Sequence, residues 1–137
     1  MKTPEQIQAA FDLARQYESI ADSIFAYAKD HLAEDRDHFD QLYRQALSID
    51  QKAHDLYAGI ASAETAATAA DIQQIGAATK LLEAAAKTIA DVDGAVSVGL
   101  GVVAVIGTVT AAVLDPTHVS AAVAVGAIGE LVGSLAR

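Results

Sequence analysis

An all-α fold is what this sequence predicts, on three observations. Proline occurs only at Pro4 and Pro116, so the long stretch between them lacks a strong helix breaker. Through the first two thirds of the chain, apolar residues recur at three- and four-residue spacing, the period of a helix with one buried face. The last third consists of two nearly charge-free runs around a short polar break. The expected architecture is two or three long amphipathic antiparallel helices plus a C-terminal hydrophobic helical hairpin. Residues 1–93 would form an amphipathic bundle or coiled-coil region and residues 94–137 the hairpin, in one structural unit.

The first helix starts at Thr3-Pro4-Glu5-Gln6. Thr3 suits the N-cap, Pro4 the first helical position, and Gln6 completes a capping box. Ile7, Ala10, Ala14, Tyr17, Ala21, Ile24 and Ala28 then mark a core-facing stripe, which Phe11, Leu13, Ile20 and Phe25 widen. The charged segment Ala33–Asp37 predicts a turn. The second helix carries a heptad series, Phe39, Leu42, Ala46, Ile49, Ala53, Leu56 and Ile60. Residues Ala61–Ala70 are Ala, Ser, Thr and one Glu, and the helix propensity of Ala favours a continued helix with a kink. The third helix shows Ile72, Ile75, Thr79, Leu82, Ala86 and Ile89, with Glu83 and Lys87 paired at i,i+4. Asp91-Val92-Asp93-Gly94 reads as a joint.

From Gly94 to Leu114 there is no ionisable side chain over 21 residues. As a helix this run would be about 31 Å long, close to the hydrocarbon thickness of a bilayer. Asp115-Pro116-Thr117-His118 breaks it, and Val119–Ala136 follows with Glu130 alone ionisable. Val96, Val98, Leu100 and Val102 alternate as a strand would, but the pattern fails at Val102–Ile106, so helix is preferred.

Small residues are patterned along both runs. Ala122, Gly126, Gly129, Gly133 and Ala136 share one face of the second, and Ala95, Gly99, Gly107 and Ala111 share one of the first. Glycine in a helix costs about 1 kcal/mol relative to Ala, so glycines aligned on a face predict close helix packing. Asp115, Pro116, Thr117 and His118 would be the leading tip if the hairpin entered a membrane. Glu130 is expected to face a neighbouring helix as a candidate pore-lining or pH-sensing acid; the alternative is that it lies near the helix end and snorkels to water or pairs with Arg137. A Gly-rich pair with one acid is similar in outline to rotor-ring subunits of ATP synthases, but this turn and the preceding amphipathic helices depart from that pattern.

Composition excludes several function classes. Lys and Arg number 9 against 18 Asp and Glu, a formal net charge of −9, and no basic patch exists. Nucleic-acid binding and a polybasic lipid anchor are therefore not expected. Cysteine is absent, which removes disulfide and thiolate chemistry. The N-terminus has no apolar core of a secretory signal. His31, Glu34, Asp35 and His38 share helical spacing but fall in the expected turn among Asp30, Asp37 and Asp40, so a solvated corner is expected in place of a zinc site. No nucleophile motif, phosphate loop or di-iron spacing occurs, so no catalytic, cofactor-binding or metal residue is assigned and an enzyme is not expected. Tyr17, Tyr27, Tyr43 and Tyr57 lie among the stripes and are expected to support the core.

Two functional readings follow. In the first, the hairpin inserts into or associates with a bilayer as part of a homo-oligomer; the protein is membrane-associated, or soluble until triggered. That arrangement is similar in outline to α-helical pore-forming toxins, with no shared sequence motif. In the second, the chain is a soluble all-α homo-oligomeric interaction module, of the kind found as secretion-system components, chaperones or immunity proteins, and the hairpin is buried in the assembly against a second copy or a helical partner.

Overall fold

A computed structural model describes residues 3–33, 36–63, 66–87 and 92–135, without the side chains of 92–95 and 97. Among the described residues there are five α-helices and no strand: α1 (Pro4–Asp30), α2 (Arg36–Ser62), α3 (Ala69–Ala86), α4 (Val92–Leu114) and α5 (Ala121–Leu135).

Helix α1 begins as its capping residues dictate. Thr3 Oγ1 accepts from the Gln6 backbone N–H at 3.1 Å, and the Thr3 N–H donates to Gln6 Oε1 at 2.9 Å. Its stripe is buried from Ala10 to Ala28, together with Leu13 and Ile20, while Ile7 and Phe11 pack at its edge. The heptad residues of α2 from Leu42 to Ile60 are buried, as are Ile72, Ile75, Thr79, Leu82 and Ala86 of α3. Ile89 lies outside the described residues.

Two aromatic expectations need correction. Phe25 and Tyr43 are exposed, at 37% and 39%, and they meet each other in place of the core. A wide apolar stripe on a helix exceeds what two neighbours can cover, so its margins reach the surface. Tyr17 is wholly buried, and Tyr27 and Tyr57 are half-buried.

The expected continuation of α2 through residues 61–70 is also overturned. Helix α2 stops at Ser62, and Thr68 is the extended N-cap of α3, its Oγ1 accepting from Asp71 N at 3.1 Å. Between them Ala67 is buried and spends its backbone groups on distant parts of the chain. Its N–H donates to Val113 O at 2.9 Å, and its C=O accepts from Gln6 Nε2 at 2.9 Å. A capping side chain and two long-range hydrogen bonds outweigh the few tenths of a kcal/mol per residue that propensity supplies.

Helix α1 lies between α2 and α3; α4 touches all four other helices, and α5 touches only α3 and α4. Phe11 packs edge-on to Tyr57 near one end of α1, and Phe25 meets Tyr43 near the other. Val98, Val102, Ile106, Val109, Ala112 and Val113 carry the core into α4. One buried polar contact ties α4 to α1. The hydroxyl of Thr110 donates to Ile106 O at 2.7 Å, which leaves its oxygen to accept from Tyr17 Oη at 3.1 Å. Burial pushes the Tyr17 phenol far above its ordinary range, and the Thr110 contact offsets this in part.

Candidate interaction surface

Helices α4 and α5 each present a buried and an open side, and the residues singled out in the sequence divide between them. Gly99 is buried on α4. The carboxamide oxygen of Gln45 occupies the space that a Cβ on Gly99 would take. Gln45 is itself buried; its Nε2 donates to Val96 O at 3.4 Å, and its Oε1 has no hydrogen-bond partner. Gly101 approaches α5: a Cβ there would lie 2.6 Å from Leu131 Cδ1. Gly59 of α2 makes similar room for Leu114, at 2.9 Å. Close approach through glycine therefore occurs at Gly99, Gly101 and Gly59. Only the first lies on the small-residue stripe, and nothing in the spacing of Gly59 or Gly101 marks them out.

The rest of the stripe faces outward. A Cβ added at Gly107, Gly126, Gly129 or Gly133 would meet nothing within 4 Å. Ala122, Gly126, Gly129 and Gly133 are exposed, Gly107 and Ala111 half-buried. The Ala95 side chain, Ala136 and Arg137 lie outside the described residues. Helix α5 buries only Ala124 and Ile128 and exposes Val123 at 57%; α4 exposes Leu100 to the same degree. Apart from Gly99, the stripe glycines have no neighbour to approach within the chain; Gly101 of α4 meets α5 through a larger residue, Leu131.

Glu130 points to solvent beside Gly126 and Gly133 and does not face a neighbouring helix of its own chain. A carboxylate beside an open face is satisfied by water, so a single acid in an apolar run needs no internal partner. The turn is compact. Asp115 accepts from Thr117 Oγ1 at 2.7 Å and pairs with His118 Nδ1 at 2.7 Å. These two contacts, Thr117 first, hold the Asp115 carboxyl below the usual carboxylate range. Pro116 is half-buried, and Thr117 and His118 are exposed.

His31 stacks on Tyr27 with centroids 4.2 Å apart, and its Nδ1 lies 2.9 Å from Tyr27 O. Glu34 and Asp35 lie outside the described residues, among which no group of three His, Cys, Asp or Glu residues is placed to hold an ion. Nor is any helix, among the described residues, long and apolar enough to cross a membrane. Comparison with protein-family models, with curated proteins and with solved structures found no match.

Proposed function

We propose that this chain is a self-associating helical interaction module. In this reading α1 and α2 are an antiparallel amphipathic pair, α4 and α5 form the C-terminal hydrophobic hairpin, and the outward face of the hairpin is the docking surface. The observation that carries it is the two-sidedness of the hairpin. One side is built into the core through Val102, Ile106, Val109 and the Tyr17–Thr110 contact. The other presents Ala122, Val123, Gly126, Gly129 and Gly133 to open space.

A second copy is the occupant that charge favours. Two chains of net charge −9 repel over most of their surfaces. The hairpin face, with Glu130 as its lone ionisable group between Ala121 and Leu135, is where two copies meet with least repulsion. Helix α5 has 15 residues, about 22 Å, and two adjacent helices give a strip about 20 Å wide. The resulting area, roughly 400 Å², is in the range where exposed apolar patches mark interaction sites. Glycine there lets a partner backbone come close.

The test is assembly state. Light scattering in detergent-free buffer is expected to show a multimer. Gly129→Leu with Gly133→Leu is expected to give a helical monomer, because the added bulk meets nothing in its own chain. A parent protein that is a monodisperse monomer overturns the proposal.

A second reading, insertion of the hairpin into a bilayer, is favoured by the scarcity of charge on the same face. It has its own test in dye release from liposomes across pH. Insertion requires Asp115 to give up its charge, and Thr117 and His118 keep it ionised to lower pH than a free aspartate. Acid-triggered release should therefore move to higher pH in Asp115→Asn, and also in Glu130→Gln. Absence of release at every pH where the helices remain folded excludes it.

A further inference from the structure

A second surface lies between α1 and α2, apart from α5, which touches neither helix. Ala21 of α1 and Ala46 of α2, both small, line a hollow of about 180 Å³ there. Phe25, Tyr43 and Leu47 form its walls, with Leu47 48% exposed. The Phe25 and Tyr43 rings are tilted at 53° with centroids 5.4 Å apart. Phe39 stacks on Tyr43 at 6.0 Å, so Phe39, Tyr43 and Leu47 make a ridge along α2 at four-residue spacing. Asp22 and Asp50 complete the lining.

Neither carboxylate forms an ion pair among the described residues, where the lysine and arginine ion pairs are Asp12–Arg15, Lys52–Asp55 and Glu83–Lys87. Burial raises the Asp50 carboxyl above its ordinary range, and repulsion from Asp22 and Glu18 raises it further; His54 opposes the shift. Two carboxylates beside two aromatic rings form a receptor for a cation, which the carboxylates attract through charge and the rings support by contact. The hollow is smaller than the roughly 300 Å³ at which small-molecule pockets begin, so it suits one side chain. The ridge beside it is spaced to meet the apolar face of a helix.

We propose that this cleft docks an arginine side chain presented by a basic amphipathic helix of a partner protein. Arginine fits better than lysine because its planar guanidinium stacks on rings and can bond two carboxylate oxygens at once. The net charge of −9 draws such a partner toward this chain from a distance, and the ridge supplies the apolar contact that a surface ion pair lacks.

The experiment uses the full chain and a labelled synthetic helical peptide of about 18 residues, five turns, made of Leu, Ala, Gln and Arg. A charge-matched peptide in which Ser replaces Leu is the control. Titration by fluorescence anisotropy and by backbone amide NMR is expected to show saturable binding, with the largest shifts at Ala21, Ala46 and Leu47. Asp22→Asn with Asp50→Asn should weaken it at least about tenfold, as expected for losing charge-assisted bonds. Asp12→Asn with Asp71→Asn removes equal charge from the α1–α3 side and should change affinity less than about twofold. Leu47→Ala should weaken the Leu-containing peptide alone, whereas Tyr43→Ala should weaken both peptides. Equal loss from both aspartate pairs, shifts spread over every acidic face, equal binding of the Ser peptide, or no binding by the parent each overturn the proposal. Thermal melts of the variants establish that they remain folded.

Discussion

The α1–α2 pair and the α4–α5 pair solve the same packing problem with opposite materials. In α2, charged and apolar residues alternate at helical spacing, so one face alone can enter the core: Leu42, Ile49, Leu56 and Ile60 are buried, and Asp40, Arg44, Ser48 and Gln51 are exposed. In α4 and α5, almost any rotation would bury apolar atoms. Their orientation is chosen by shape instead, through glycines at 99 and 101 that admit Gln45 and Leu131. The difference teaches that a charged helix is oriented by what it must expose, and an apolar helix by what it can fit. The consequence is visible at the surface: the first pair shows solvent a charged face with one aromatic cleft, and the second shows it Leu100, Val123 and glycine.

The strongest way to break this comparison is to cut equally into both halves of the core. Ile49→Ala in α2 and Ile106→Ala in α4 remove the same side chain from sites that are 0% and 1% exposed. Each is expected to cost about 2–5 kcal/mol, read by urea denaturation. A cost at Ile106 under about 1 kcal/mol would mean that α4 is not held in the core as α2 is. Next in size is Gly101→Ala, whose methyl must displace Leu131; overpacking of this kind costs about 1–3 kcal/mol. Gly129→Ala should do the reverse, because its methyl meets nothing and the helix gains up to about 1 kcal/mol. Opposite signs of the two melting shifts, measured in monomeric protein, sharpen the division into fitted and open glycines; equal signs erase it.

The smallest effect belongs to the acidic cleft. The Asp50 carboxyl is raised in the folded state, so the folded chain binds its proton more tightly than the unfolded chain does. Stability from this group therefore falls as pH rises from the ordinary aspartate value through the raised one, and the deficit persists at neutral pH. Asp50→Asn is expected to raise the melting temperature slightly at pH 7 and to lose that advantage in acid. A variant that melts like its parent at pH 7 removes like-charge strain from the account of the α1–α2 surface.

What could be read from the sequence follows the same line. The Thr3 capping box and the buried stripes of α1, α2 and α3 were legible, because charge interrupts apolar residues at a period only a helix satisfies. The rotation of α4 and α5 was not. Helices that are apolar all round carry no periodic contrast, so Gly99 reads the same as Gly126 although one is enclosed and the other open. The end of α2 was hidden for another reason: Ala67 leaves the helix for hydrogen bonds to Val113 and Gln6, partners that no local window contains. The aromatic cleft is not legible in the sequence because Phe25 and Tyr43 sit at helical spacing beside core residues, and the hollow they line with Ala21 and Ala46 needs two helices brought together.

The hydrogen bond from Ala67 to Val113 also bears on how the chain is made. Helices α1, α2 and α3 leave the ribosome well before residue 113 does. Until then the Ala67 amide and the Tyr17 hydroxyl have only water to bond, and the surface that will receive Val102, Ile106 and Val109 stands open. Synthesis at about 5–20 residues per second is far slower than helix formation. Helices α1, α2 and α3 therefore form first and wait, with an apolar face uncovered, for the segment that contains α4 to arrive. Truncation before α4 should leave a sticky, incomplete bundle whose aggregation is suppressed when the missing segment is restored on the same chain.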